Sequence, residues 1–93
     1  SFAIEREGNL DPDRLNTWLS TLLRERGVDI FRMKGFLAIA GDTNRFVFQG
    51  VHMLFDGQEE KPWGEEPRLN QLVFIGRNLD AESITKGFDA CLV

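Results

Sequence analysis

One cysteine and one histidine stand among 93 residues, and no apolar run in the chain approaches the length of a membrane span. The lone thiol, Cys91, cannot close an internal bridge, and a structural zinc site needs about four ligands. A chain without a disulfide framework is expected in the cytoplasm. Crossing a bilayer takes roughly 20 consecutive apolar residues, and export takes a basic stretch followed by an apolar one near the N-terminus. Neither pattern occurs, so no membrane role is expected. The basic residues are scattered and the formal charge is −4. Neutralising phosphates takes clustered Lys and Arg, so nucleic acid is not an expected partner. No Gly-x-x-x-x-Gly-Lys-Ser/Thr sequence is present, so nothing in this chain should bind or hydrolyse a nucleotide by itself.

What is present fits one domain spanning residues 1–93. Charged residues make up 28% and apolar residues 42%, an ordinary globular balance. Residues 2–7 alternate apolar and polar as a half-buried strand does. Because that pattern begins almost at the first residue, the chain is expected to start within a longer protein. Gly8 and Asn9 break the strand. Asp11 then supplies an N-cap and Pro12 a residue suited to the first helical position. Leu15, Trp18, Leu19, Leu22 and Leu23 recur as one helical stripe, with Gly27 where a left-handed C-terminal residue would fall. Residues 30–40 are apolar except for Arg32 and Lys34, and residues 45–55 are similar. The intervening Gly41, Asp42, Thr43 and Asn44 carry turn chemistry, so the pair reads as a hairpin. Residues 56–68 gather Gly, Pro and Glu around Trp63 and read as an exposed acidic loop. Residues 69–76 resume a strand pattern. Asp80 caps a last helix with Ile84, Gly87, Phe88, Cys91 and Leu92 at helical spacing.

The predicted fold is α/β (α+β): a four-stranded, mostly antiparallel sheet with two helices, in the order strand, helix, strand, strand, strand, helix. The first helix crosses between the first two strands, which leaves a parallel pairing open. Both faces of the strand at residues 45–55 are apolar, with Phe46, Phe48, Gly50, His52 and Leu54 on one and Val47, Gln49, Val51, Met53 and Phe55 on the other. If both helices cover one face, the opposite face carries large apolar side chains that something else must bury. One helix on each face, or a curled sheet, is the alternative.

Chemistry is sparse. His52 lies in a strand pattern, and no nucleophile, acid or co-ligand can be named beside it, so a hydrogen-bonded structural imidazole is the simpler reading. Cys91 falls on the apolar stripe of the last helix and reads as a small buried hydrophobe. Glu59, Glu60, Glu65 and Glu66 form a solvated surface or attract a divalent cation. Gly35 and Gly50 inside strands mark a bulge or a close backbone approach. Arg32, Lys34 and Arg77 are strand-end charges or polar contacts to a partner.

Several stretches taken together resemble one family: residues 32–37 (RMKGFL), 49–53 (QGVHM), the pair Pro62 and Trp63, residues 69–79 (LNQLVFIGRNL) and residues 87–92 (GFDACL). In order and spacing they are similar to the C-terminal domain of the CobW family of metal-handling GTPases, over nearly the whole chain. The resemblance implies an N-terminal P-loop GTPase domain, with a Cys-rich metal-binding motif, that this sequence does not contain. That domain would use GTP and Mg to insert or traffic zinc or cobalt for a client metalloprotein, cobalamin-related roles among them. This chain would then be a non-catalytic accessory domain holding no cofactor or metal. Its expected partners are the GTPase domain of the same protein and the client. The His-rich segments of some members are absent, so metal storage is not expected. Arg32, Lys34, Phe46, Phe48, His52, Trp63 and Arg77 are the candidate contact residues. The rival readings are a stand-alone metal-binding module using His52 and loop carboxylates, and a homo-oligomer pairing through Phe46 and Phe48.

Overall fold

The computed structural model describes residues 1–51 and 54–93. The elements are β1 (Phe2–Glu7), α1 (Pro12–Arg26), a single 3₁₀ turn (Gly27–Asp29), β2 (Ile30–Leu37), β3 (Asn44–Val51), β4 (Leu54–Pro62), β5 (Leu69–Gly76) and α2 (Ala81–Asp89). The strands form one sheet in the order β1-β5-β2-β3-β4. Every neighbouring pair is antiparallel. β1 and β2 therefore run parallel to each other with β5 inserted between them, so the crossover through α1 joins parallel strands that are not neighbours.

The sheet has five strands rather than the predicted four. The stretch read as one strand over residues 45–55 divides into nearly all of β3 and the start of β4, and the acidic stretch after it continues β4 as far as Pro62. The physical reason is position. β4 is an outer strand, all but Phe55 of its residues are exposed, and a charged edge strand needs no apolar stripe to be stable. Its Gly and Glu content therefore imitates a loop. His52 and Met53, and with them the assignments made for that imidazole, lie outside the described residues.

Both helices begin as their caps dictate. The Asp11 carboxylate accepts from the Arg14 N–H at 2.9 Å, with Pro12 opening the first turn, and Asp80 accepts from the Ser83 N–H at 3.1 Å. Gly27 departs from expectation: its φ is −54°, right-handed, and the chain tightens into the 3₁₀ turn instead of reversing. Both helices lie on one face of the sheet. Leu15 and Leu22 of α1 and Ile84 and Phe88 of α2 form one core with Ile4, Met33, Leu37, Phe48, Leu72 and Phe74. The helices meet where the Trp18 indole stands edge-on to Phe88, with centroids 5.4 Å apart. Gly87 makes room for it, since a Cβ there would come within 2.8 Å of the indole.

Gly35 confirms the close approach expected of it: a Cβ would meet the main-chain oxygen of Gln71 on the neighbouring strand. Gly50 instead clears space for the Phe55 ring, which stands at 75° to Phe48.

At the end of the sheet Asn70, fully buried on β5, serves three main-chain groups. Its Oδ1 accepts from the Ala38 N–H at 2.7 Å, and its Nδ2 donates to the carbonyls of Arg6 and Gly8, each at 3.0 Å. Beside it Leu10 donates to the Ala38 carbonyl at 2.8 Å and accepts from the Ala40 N–H at 2.9 Å, while the Asp11 N–H donates to the Cys91 carbonyl at 2.8 Å. The chain leaving β1 is thus fixed against the ends of both β2 and α2. Replacing Asn70 by Ala strands three main-chain groups, one of them fully buried, and is expected to cost about 3 kcal/mol. Urea unfolding measures this, and a loss below about 1 kcal/mol would mean that water replaces the side chain.

Candidate interaction surface

The strand register that packs one face against the helices sets the other face bare. Three cross-strand rows occupy its centre: Ile75, Arg32 and Val51; then Val73, Lys34 and Gln49; then Gln71, Phe36 and Val47. Neither helix reaches this side. Val73 is 42% exposed, Ile75 46% and Val51 51%, which is unusual for β-branched residues in the middle of a sheet. Ala3 and Glu5 extend the face on β1, and Leu54, Asp56 and Gln58 on β4. A shallow depression of about 330 Å³ lies among Lys34, Phe36, Val47, Gln49 and Val73.

One end of the face is closed by a stack of alternating cations and rings. The Arg45 guanidinium lies over Phe36 at 4.9 Å from the ring centre and over Trp63 at 5.0 Å, and Arg68 approaches Trp63 at 5.8 Å. Each such contact contributes about 0.5 to 2 kcal/mol, more where water is excluded. Arg45 is charge-paired with Glu66 at 2.6 Å and, more loosely, with Glu60 at 3.9 Å. Arg68 donates to the Ile39 carbonyl at 2.9 Å and to the Asn9 side chain, tying the segment after β4 to the chain leaving β1. Trp63 is held by this stacking and by its backbone N–H donating to Thr43 at 3.0 Å; its indole N–H has no acceptor among the described residues.

The residues named from sequence separate accordingly. Arg32 and Lys34 both stand exposed on the open face, on its central strand. Phe46 and Phe48 do not, because alternation along β3 turns them to the helix side, where Phe48 is 6% exposed and Phe46 packs over Gly57. They are not available to a partner on the open face. Trp63 is buried, not displayed on an exposed loop. Arg77 is a strand-end charge: it pairs with Asp29 at 3.2 Å and lies near the Phe31 ring. Among the described residues no group of three or more His, Cys, Asp or Glu side chains is placed to hold a metal ion. Sequence reasoning missed Phe36 and Arg45. The available signal was a tryptophan in a polar, acidic stretch, which needs both a burial partner and a cation to match the glutamates.

Cys91 is buried, with its Sγ 3.5 Å from the Gly87 carbonyl, and burial raises its pKa above the ordinary value, outweighing the lowering effect of Arg14. No helix among the described residues is long and apolar enough to cross a membrane.

Two helices on one side of an antiparallel sheet whose other side is bare define a two-layer α+β domain, and the same fold is found in a solved GTPase structure. The crystal structure of the Zn(II)-bound YjiA GTPase from E. coli superposes with a TM-score of 0.94 at 33% identity, over 99% of this chain and 29% of that one. The family model described as cobalamin synthesis protein cobW C-terminal domain matches residues 1–92, and the chain belongs to that family. Among curated relatives, the zinc chaperone YjiA of Escherichia coli K12 is 35% identical over 88 residues, covering 95% of this chain and 28% of its own length. The zinc chaperone CobW of Pseudomonas aeruginosa is 44% identical over 57 residues, 60% of this chain and 15% of its own length. The chain therefore spans less than a third of either relative.

For Cys91 the sign of the pH effect follows from its raised pKa. The fold favours the neutral thiol, so this contribution to stability is complete below the unfolded thiol's pKa and is lost as pH rises through the folded value. Thiol-reactive dye at pH 8 is expected to label Cys91 at least about tenfold more slowly in the native protein than in 6 M urea. Equal rates would show an accessible thiol.

Proposed function

We propose that this chain, acting as one unit over residues 1–93, is the non-catalytic interaction and regulatory domain of a cytoplasmic CobW-like metallochaperone. That protein would use GTP to insert or traffic zinc or cobalt. The open face of the sheet carries the reading: β-branched residues on it are left in water, with nothing among the described residues to cover them. Large exposed apolar patches on a soluble protein usually mark an interaction site. The chaperone and GTPase descriptions of the relatives supply the context, because in each the matching region is a minor part of a longer chain.

In this reading the occupant of the face is the GTPase domain of the same protein. GTP, Mg and the transported metal belong to that domain, and the client metalloprotein is reached through it. A domain that binds one nucleotide state of its neighbour more tightly than the other shifts the equilibrium by that difference in affinity, which is how docking here becomes regulation.

Sedimentation velocity of the 93-residue chain, alone and with the GTPase domain of the same protein, tests this. Alone it is expected to be a monomer, and together a 1:1 complex. Val73→Glu or Ile75→Glu is expected to weaken association at least about tenfold, the size of a central interface residue. A homodimer indifferent to the GTPase domain would overturn the docking reading.

A further inference from the structure

Arg32 and Lys34 differ from the arginines Arg6, Arg45 and Arg77 of the other strands and their ends, each of which is charge-paired. Arg6 pairs with Asp89 at 2.9 Å, Arg45 with Glu66 at 2.6 Å and Arg77 with Asp29 at 3.2 Å. Neither Arg32 nor Lys34 has a carboxylate within pairing distance or a side-chain hydrogen bond among the described residues, although both stand on β2, the middle strand of the sheet. Their neighbours in register are aliphatic or amide: Ile75 and Val51 beside Arg32, Val73 and Gln49 beside Lys34. The carboxylates that the strands place on the same face stand at its margins, Glu5 and Glu7 on β1 and Asp56 on β4, with Glu5 already accepting from Gln71 at 3.2 Å. The bare face therefore has two unmatched cations in an apolar field, inside an acidic margin.

A covering layer of purely apolar side chains would desolvate two charges with nothing to receive them, which strongly disfavours such a contact. A second copy of this chain fits no better. A twofold axis through the centre of the face sets Arg32 and Lys34 against their own equivalents, and shifting the pairing to reach Glu5 or Asp56 leaves part of the aliphatic surface bare. What fits is an apolar surface with carboxylates at its own centre. The depression around Lys34, walled by Phe36, Val47 and Val73 and carrying the Gln49 amide, has the shape and chemistry to take the first. Residues two apart on a strand are separated by about 7 Å, which places a second carboxylate over Arg32.

We propose that the element of the GTPase domain that covers this face presents a carboxylate to the depression at Lys34 and a second to Arg32, within an otherwise aliphatic surface. This rests on the docking reading above and adds to it the charge and position of the contact.

The test uses the same association measurement, at 50 and 300 mM NaCl, on the wild-type chain, the double variant Arg32→Gln with Lys34→Gln, and Val73→Glu. All three positions are exposed, and thermal unfolding confirms that each variant is folded. The expected result is at least a tenfold loss of affinity in the Gln variant at 50 mM NaCl. The several-fold salt dependence of the wild type should fall with it. Loss of binding in Val73→Glu together with unchanged affinity and unchanged salt dependence in the Gln variant would overturn this proposal and leave the docking reading standing. Absence of any association in the wild type, or association untouched by all three substitutions, would overturn both.

Discussion

Asn70 is the point on which the arrangement of strands depends. It lies on β5, the strand inserted between the parallel β1 and β2, and its amide is satisfied on both sides at once. A buried amide that meets all its partners rigidifies a structure, whereas one that meets some of them is worse than an apolar residue. Here the satisfied groups are the ends of the two strands joined by α1, so the same contact fixes where the chain leaves β1 and where α1 begins. The Leu10 bridges to residues 38–40 and to Leu92 extend that fixed point to the C-terminal end of α2.

Placing α1 and α2 on one side follows, and so does the character of the other. The side chains of β2, β3 and β5 alternate between a core and open water, but the water-facing set was not made polar. Antiparallel sheets commonly leave one face solvated, with polar residues on it. Here Val51, Val73 and Ile75 break that rule while Arg32, Lys34, Gln49 and Gln71 keep it. Such a mixture of aliphatic, basic and amide side chains is the composition of many interfaces between proteins.

Much of the fold is legible in the sequence wherever local chemistry and tertiary position agree. Asp11 and Asp80 cap the helices they precede, and the stripe from Leu15 to Leu22 lies against the sheet. The hairpin of β2 and β3 turns at Ala40 and Gly41, one residue ahead of the predicted turn chemistry, with the Asp42 N–H donating to the Ile39 carbonyl. The failures share one cause. β4 is charged because it is an edge, and Trp63 is buried because Arg45, Arg68 and Phe36 reach it from distant parts of the chain; neither fact is local. The two faces of β3 were separable by alternation, but which one met the helices depended on the insertion of β5, so Phe46 and Phe48 could not be distinguished in advance from Val47 and Val51. Arg32 and Lys34 are visible as interruptions in an apolar strand, but that they stand unpaired at the middle of the sheet, while Arg6, Arg45 and Arg77 are paired, is a fact of the fold.

The chain has two tryptophans, and the fold sends them to opposite sides of the sheet. Trp18 lies between the helices against Phe88 and Gly87, far from the bare face, while Trp63 stands at the margin of that face between two guanidinium groups. Indole emission responds to nearby charge and to the exclusion of water. The molecule thus carries a pair of native optical reporters: one sensitive to whatever settles on the sheet, and the other an internal reference that should remain constant while the fold is intact.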